Sequence, residues 1–410
     1  MNCRFCGNVL DQQFIDLVNS PLSNAFLTSA QLDEPEIYYP LRLLVCEKCH
    51  LVQIGEYKKA YEIFHDDYLY FSSYSKSWLT HARNYAAMIS ERLALGPQNF
   101  VIEIASNDGY LLQNFQEANI PCLGIEPTKG TAEVAREKGI EVITDFFGLK
   151  IAEQLAAEGR QADLVIGNNV LAHVPDLNDF VGGLKAVLKR GGVINMEFPH
   201  LLRLVEGNQF DTIYHEHFSY FSFLTVQRIF SVHELIIFDV EEIPTHGGSL
   251  RIYAGHARDA SKPVSPSVKK LAKRETDLGM NTSAYYSGFQ AKADKIKYDL
   301  LSFLIAEKSE GRKVAAYGAA AKGNTLLNYC GVKRDLIEFV VDASPHKQGK
   351  YLPGSHIPIV AEEKLQQWRP DYVLILPWNI KEEIMGQIQY IKNWGGRFLV
   401  ATPCLQVVDV

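Results

Sequence analysis

"VIEIASNDGYLL" occupies positions 101–112. A short apolar run passes through a turn of small residues into the start of a helical pattern. Working outward, apolar runs recur at 121–125, 141–144, 163–166 and 192–198, with helical patterns such as 110–118 and 131–138 between them. Strands separated by single helices predict a parallel, doubly wound sheet. In such sheets ligands bind beyond the carboxyl ends of the strands, where the strand order reverses. The candidate ligand residues are therefore Glu103 on the first strand, Ala105, Asn107 and Gly109 in the turn after it, and Glu126 and Pro127 after the second strand. Asp145 and Phe146 follow the third strand and Asn168 the fourth. Glu126 suits a ribose diol, and Asp145 with Phe146 suits adenine. The turn lacks the G-x-G-x-x-G of pyrophosphate-binding folds. Acids at the first two strand ends fit a cofactor with no phosphate and a cationic centre, which is S-adenosylmethionine rather than NAD. The competing reading makes these carboxylates solvated loop residues.

Further along, a helix is expected over 225–233, strands over 235–240 and 249–254, and a polar linker at "RDASKPVSPSVKK" (258–270). A long helical pattern then runs to about position 310. The α/β rhythm restarts with strands at 313–317, 336–342, 372–377 and 397–402. "VAAYGAAAKGNTLLN" (314–328) reads as strand, turn and helix start carrying Lys322. Free N–H groups at a helix N-terminus beside a lysine make a phosphate cradle, and Asp342 ends the next strand. This second α/β unit either binds a substrate's nucleotide diphosphate or is a duplicated scaffold without a ligand.

The first seventy or so residues read as irregular structure with short strands around two cysteine pairs, Cys3-x-x-Cys6 and Cys46-x-x-Cys49. A helix follows over 77–95. Four thiolates from two such knuckles form the closed, tetrahedral set that Zn²⁺ prefers. With no open position the metal would be structural. Redox dithiols and unliganded core cysteines are the alternatives, and His50 is a further candidate ligand.

With 410 residues, 47% hydrophobic and 22% charged, the chain calls for two or three globular domains. A formal net charge of −7 argues against nucleic acid or an anionic membrane as main partner. No apolar run is long enough to span a bilayer. The opening residues lack a signal peptide's apolar run, so the expected compartment is the cytoplasm.

"CRFCG", "CEKCHLVQ", "EIASNDGYLL", "GIEPT", "YHEHFSYFS", "HGGSLRIY" and "YGAAAKGNTLLN" occur in this order. Together they resemble the sugar C-methyltransferases of deoxysugar pathways, which act on nucleotide-linked 4-keto sugars. The resemblance covers essentially the whole chain. It implies an α/β chain in three parts: a zinc-binding module (1–75), a Rossmann-like methyltransferase domain (76–260) and a C-terminal Rossmann-like domain (261–410). The implied ligands are S-adenosylmethionine, a structural Zn²⁺ and a nucleotide-linked keto-deoxysugar.

The resemblance also places Tyr214, Glu216, His217 and His173 in the active site. Joining a methyl group to carbon needs a base for the proton beside a ketone and donors for the resulting oxyanion. Histidine titrates near neutrality without tuning. His217 is the favoured base, oriented by a carboxylate such as Glu216, with Tyr214 binding the ketone or relaying the proton. Tyr214 stays open as the base itself. His215 is expected to point away. Tyr68 and Tyr70 either reach the cofactor or pack as one face of a strand. "THGGSLRIY" (245–253) offers His246 and Arg251 as contacts to substrate phosphate or sugar. Two other readings compete: an RNA methyltransferase with a zinc module, which the acidic charge disfavours, and a non-catalytic nucleotide-sugar-binding protein.

Overall fold

The computed structural model describes residues 1–63, 71–74 and 76–408. β1 (Gln12–Ser20), β2 (Tyr39–Val45) and β3 (Val52–Ile54) form an antiparallel sheet, more regular than the sequence suggests. Two register shifts break the pairing of β1 with β2, between Gln13 and Ile15 and between Asp16 and Asn19. Each shift interrupts the two-residue alternation by which a strand is read.

β4 (Val101–Ile104), β5 (Cys122–Ile125), β6 (Glu141–Ile143), β7 (Ala162–Asn168) and β8 (Leu188–Pro199) then pair in parallel. β9 (Ser219–Tyr220) leaves this layer and joins the first sheet beside β3. β10 (Leu235–Ile243) and β11 (Ser249–His256) complete a central sheet of order β10-β11-β8-β7-β4-β5-β6. The expected all-parallel sheet is therefore mixed, since β11 runs antiparallel to both neighbours. The connection over 244–248 is too short for a crossover, so β10 and β11 can only form a hairpin.

β12 (Val314–Tyr317), β13 (Val340–Val341), β14 (Ile359–Val360), β15 (Tyr372–Ile375), β16 (Arg397–Val400) and β17 (Gln406–Val408) form a third sheet, ordered β14-β13-β12-β15-β16-β17. All its pairs are parallel except β16–β17. The strand expected over 336–342 shrinks to Val340–Val341; Ile337 and Phe339 are buried there but lie outside the ladder. The long helical pattern splits into Pro266–Asp277 and Phe289–Ser309. Between them Met280 and Tyr286 are fully buried, and the Tyr286 hydroxyl donates to the Met280 carbonyl at 2.7 Å. Anchoring both side chains in the core draws the chain off a common helix axis.

The N-terminal module holds the other two sheets together. Phe14 stacks on Phe289 with ring centroids 4.9 Å apart, and Phe14, Ile15 and Leu43 share one core with helix Phe289–Ser309 and the third sheet. Cys3, Cys46, Cys49 and Leu51 belong instead to the core of the central sheet. Each fully buried large apolar side chain contributes roughly 1.5–3 kcal/mol. Beyond the boundary expected at 260, helix Pro266–Asp277 still packs Val268 and Leu271 into the central core. Its buried Glu275 accepts from the Phe223 and Leu224 amides at 2.8 and 2.9 Å, capping helix Phe223–Val232. Among the described residues, no helix is long and apolar enough to cross a membrane.

Candidate active site

The Sγ atoms of Cys3, Cys6, Cys46 and Cys49 all lie within 4.8 Å of one another. Cys3–Cys49 and Cys6–Cys46 are each 3.5 Å apart. Zinc bound tetrahedrally at about 2.3 Å from each sulfur needs S···S edges near about 3.8 Å, so the four thiols fit the ion. His50 is not in the cluster; its ring stacks on Tyr286. Between the first two ligands, Arg4 donates to the Ile54 carbonyl at 2.6 Å and the Pro175 carbonyl at 2.8 Å. The metal module is thus tied to β3 and to the loop that carries His173.

A cavity of about 770 Å³ opens where the carboxyl ends of the central sheet face the start of helix Ala321–Cys330. At its cofactor end the turn after β4 holds Ala105, Asn107 and Gly109 at φ 57°, 50° and 75°. A Cβ at Gly109 would sit 2.4 Å from Ile140 Cδ1. Glu126 lines the wall, and its carboxylate accepts the Asn107 and Thr128 amides, both at 2.9 Å. Ser72 and Ser73 dock on the same turn through Asn107 and Asp108. Behind it Glu103 is only 1% exposed, and Oε2 has no partner among the described residues. Burial, with Glu126 and Asp108 nearby, raises its carboxyl well above the usual range. A cation at this end would relieve that. Ala105, Asn107, Pro127, Phe146 and Asn168 line the cavity, with Phe146 40% exposed and Asn168 Oδ1 unpartnered among the described residues. These features fit the cationic, aromatic S-adenosylmethionine. Gly109, Glu103 and Asp145 are not in the lining; the Asp145 carboxylate accepts its own neighbour's amide, Phe146 N, at 2.8 Å. Tyr68 and Tyr70 lie outside the described residues.

Tyr214, Glu216, His217 and His173 meet at the same cavity, because β9 pulls the preceding segment between the sheets. The Tyr214 and His217 ring centroids are 4.1 Å apart, and those of His173 and His217 are 4.8 Å apart. His217 Nδ1 donates to the Thr212 carbonyl at 3.0 Å, leaving Nε2 as the lone-pair nitrogen. This corrects the expected orienter: the Glu216 carboxylate accepts instead from Asn24 Nδ2 at 2.7 and 3.0 Å. The Glu216 backbone carbonyl accepts from His173 Nδ1 at 2.8 Å. Nor does His217 titrate near neutrality. Burial, His173, His246 and Lys322 push it well below the ordinary histidine value, and burial lowers His173 to about 4. His215 points away, with Nε2 donating to the Pro40 carbonyl at 3.3 Å.

His246 and Lys322 also line the cavity. Lys322 Nζ donates to Asn379 Oδ1 at 2.6 Å and lies 4.8 Å from the Trp378 ring centroid. Arg251 does not reach this space. It stands opposite Glu197 in the β11–β8 register and donates to that buried carboxylate at 2.9 Å. Asp342 is likewise absent from the lining; its carboxylate accepts the Ala319 and Ser344 amides, both at 2.8 Å. Sequence reading missed Asn24, Lys347, Trp378 and Asn379. The last two follow β15, so the strand-end rule that found Glu126 would have found them. Asn24 carries no local signal.

A sheet of this order, with acids framing its first two strand ends, defines an S-adenosylmethionine-dependent methyltransferase. Family models match in succession a zinc binding domain over residues 3–64, a methyltransferase domain over 78–234 and a C-methyltransferase C-terminal domain over 244–403. The chain is 33% identical over 411 aligned residues to the C-methyltransferase NovU of Streptomyces niveus, covering 99% of this chain and 96% of that one. It belongs to that C-methyltransferase family. Similar solved structures include the magnesium protoporphyrin IX methyltransferase of Synechocystis, with TM-score 0.35, 16% identity and coverage of 43% of this chain and 83% of that one. Another is PH0226 of Pyrococcus horikoshii, with TM-score 0.38, 16% identity and coverage of 49% and 99%.

Proposed function

We propose that this C-methyltransferase acts on a nucleotide-linked 4-keto-deoxysugar, methylating the carbon beside the ketone, at C-3. The observation that carries the reading is His217: a cavity-lining imidazole whose Nδ1 is pinned to the Thr212 carbonyl and whose other nitrogen is available to the cavity. Nε2 takes the proton, and the C–H electron pair passes into an enolate whose oxygen Tyr214 contacts. Bound S-adenosylmethionine supplies the electrophilic methyl group. Glu126, Phe146, Asn168 and the Ala105–Gly109 turn hold that cofactor, with Glu103 behind them. Lys322 and the N-terminus of helix Ala321–Cys330 face the substrate diphosphate, which the C-terminal α/β part holds. The chain divides at about residue 75 and again after helix Pro266–Asp277, which packs on the central sheet; it works in the cytoplasm and takes no nucleic acid. The test is mass spectrometry of products formed from dTDP-, GDP- and CDP-linked 4-keto sugars beside an RNA control. A mass gain of one methyl on a keto sugar alone supports the reading; methylated RNA, or no product from any sugar, sinks it.

A further inference from the structure

The loop carrying His246 is built with more constraint than a substrate contact needs. Thr245 Oγ1 donates to the buried Glu197 carboxylate at 2.8 Å, and Ser249 Oγ donates to the Thr245 carbonyl at 3.0 Å. His246 itself sits at φ 54°, ψ 22°, a left-handed backbone uncommon outside glycine. Gly247 follows at φ 91°, where a Cβ would lie 2.4 Å from the Trp378 ring. The loop is thus clamped by the central sheet on one side and by the C-terminal part on the other.

The imidazole it presents lines the cavity. His246 Nε2 is 3.3 Å from Asn169 Nδ2. An amide nitrogen only donates, so Nε2 accepts and the ring hydrogen belongs on Nδ1. The Asn169 backbone is fixed in turn: it is left-handed at φ 56°, and its backbone N–H donates to the Glu197 carbonyl at 2.7 Å. Among the described residues Nδ1 has no partner. Burial and the Lys322 charge lower the ring to about 4, so it stays neutral at physiological pH. His217, His246 and Lys322 all line this one cavity.

We propose that His246 is a further catalytic residue, its Nδ1–H donating to the substrate oxygen that gains charge as the neighbouring C–H proton leaves for His217. The inference rests on the enolate reading above. The proton moves from carbon to His217 Nε2, the electron pair moves into the new C=C bond, and the carbonyl oxygen becomes the enolate oxygen. His246 keeps its own proton throughout. A neutral donor fixed before reaction stabilises the charge that develops without reorganising.

Two measurements on the full-length protein test this. In ¹⁵N-histidine NMR, with His246 assigned by its loss in His246→Gln, the ring should show a protonated Nδ1 and a bare Nε2 at pH 7. An Nε2–H tautomer or an imidazolium overturns the proposal. Second, deuterium exchange at the sugar carbon beside the ketone is followed in D₂O with S-adenosylhomocysteine bound. His246→Gln should slow exchange by roughly 10²–10³-fold at unchanged cofactor affinity. Asn169→Asp, whose carboxylate only accepts and so reverses the tautomer, should slow it comparably. Wild-type exchange rates in both variants overturn the proposal and leave the enolate reading standing. Absence of exchange in the wild type overturns both.

Discussion

In the central sheet the chain leaves β4 through Ala105–Gly109 and meets carboxylates, with Glu103 behind the turn and Glu126 beside it. In the C-terminal sheet it leaves β12 through 318–321 and meets ammonium groups, Lys322 and Lys347. The strand orders correspond, β6-β5-β4-β7-β8 against β14-β13-β12-β15-β16. Even the second-strand acids correspond. Glu126 accepts the Asn107 amide, and Asp342 accepts the Ala319 amide, each bracing the turn after its sheet's first strand. The difference is one lysine. Lys347 Nζ lies 3.7 Å from Asp342, donates to the Ala319 carbonyl at 2.8 Å and takes Asp342's place in the cavity lining. One topology thus presents opposite charge on two facing walls, suited to a cationic cofactor and to the anionic substrate proposed above.

That opposition requires both sheets to stay face to face, and the zinc module spans them. The largest expected effect is therefore loss of the metal. Structural zinc typically carries on the order of 10 kcal/mol of folding free energy, comparable to a domain's whole stability of about 5–15 kcal/mol. Metal analysis should find one zinc per chain, and Cys46→Ser should lose zinc, methyl transfer and protease resistance of β1–β3 together. Full turnover in zinc-free protein would detach the module from the comparison.

Chemistry at the meeting point comes next. His217→Asn should keep both ligands but lose turnover by about 10²–10⁴-fold, along with deuterium exchange at the sugar carbon. If exchange survives, the base is Tyr214 or His173.

The two walls can then be tested separately. Removing a hydrogen bond to a charged group costs about 1.5–3 kcal/mol. By calorimetry Glu126→Ala should weaken S-adenosylmethionine by that amount and leave the sugar nucleotide alone. Lys322→Met should do the reverse. Equal weakening of both ligands by either variant would dissolve the assignment of one charge to each wall.

The smallest effect is on pH. A base works unprotonated, so the rate is full above its pKa and falls as pH drops through it. Because His217 lies well below the ordinary value near about 6.5, the acid limb of kcat/KM should fall below pH 6.5. A limb at or above that pH would mean that Lys322 and burial do not act on His217 as the geometry requires.

Much of the site was legible from the chain because its signals are local. Cysteine knuckles, acids at strand ends and the Tyr214–His217 cluster each declare themselves within a few residues. Arg251 shows where that reasoning stops. It reads as a ligand contact from its glycine-rich neighbourhood, but β11 inserts antiparallel beside β8 and sets it opposite Glu197. Asp145 and Asp342 fail for related reasons: the Asp145 carboxylate is taken by the neighbouring Phe146 amide, and Lys347 takes Asp342's place in the lining, neither of which a period reveals. Glu216 likewise finds Asn24 rather than His217, across most of the methyltransferase part.

By itself, then, the sequence determined the α/β units, the metal ligands and the cluster of Tyr214, Glu216 and His217 gathered at the cavity. Periodicity and short-range spacing are properties of adjacent residues, and they survive in one dimension. Only the tertiary structure decided that Thr212 orients the His217 ring, that burial keeps the cavity histidines uncharged, and that Lys347 displaces Asp342 from the wall. Hydrogen-bond pairing and desolvation depend on which distant segments arrive beside a group, and that is fixed by packing.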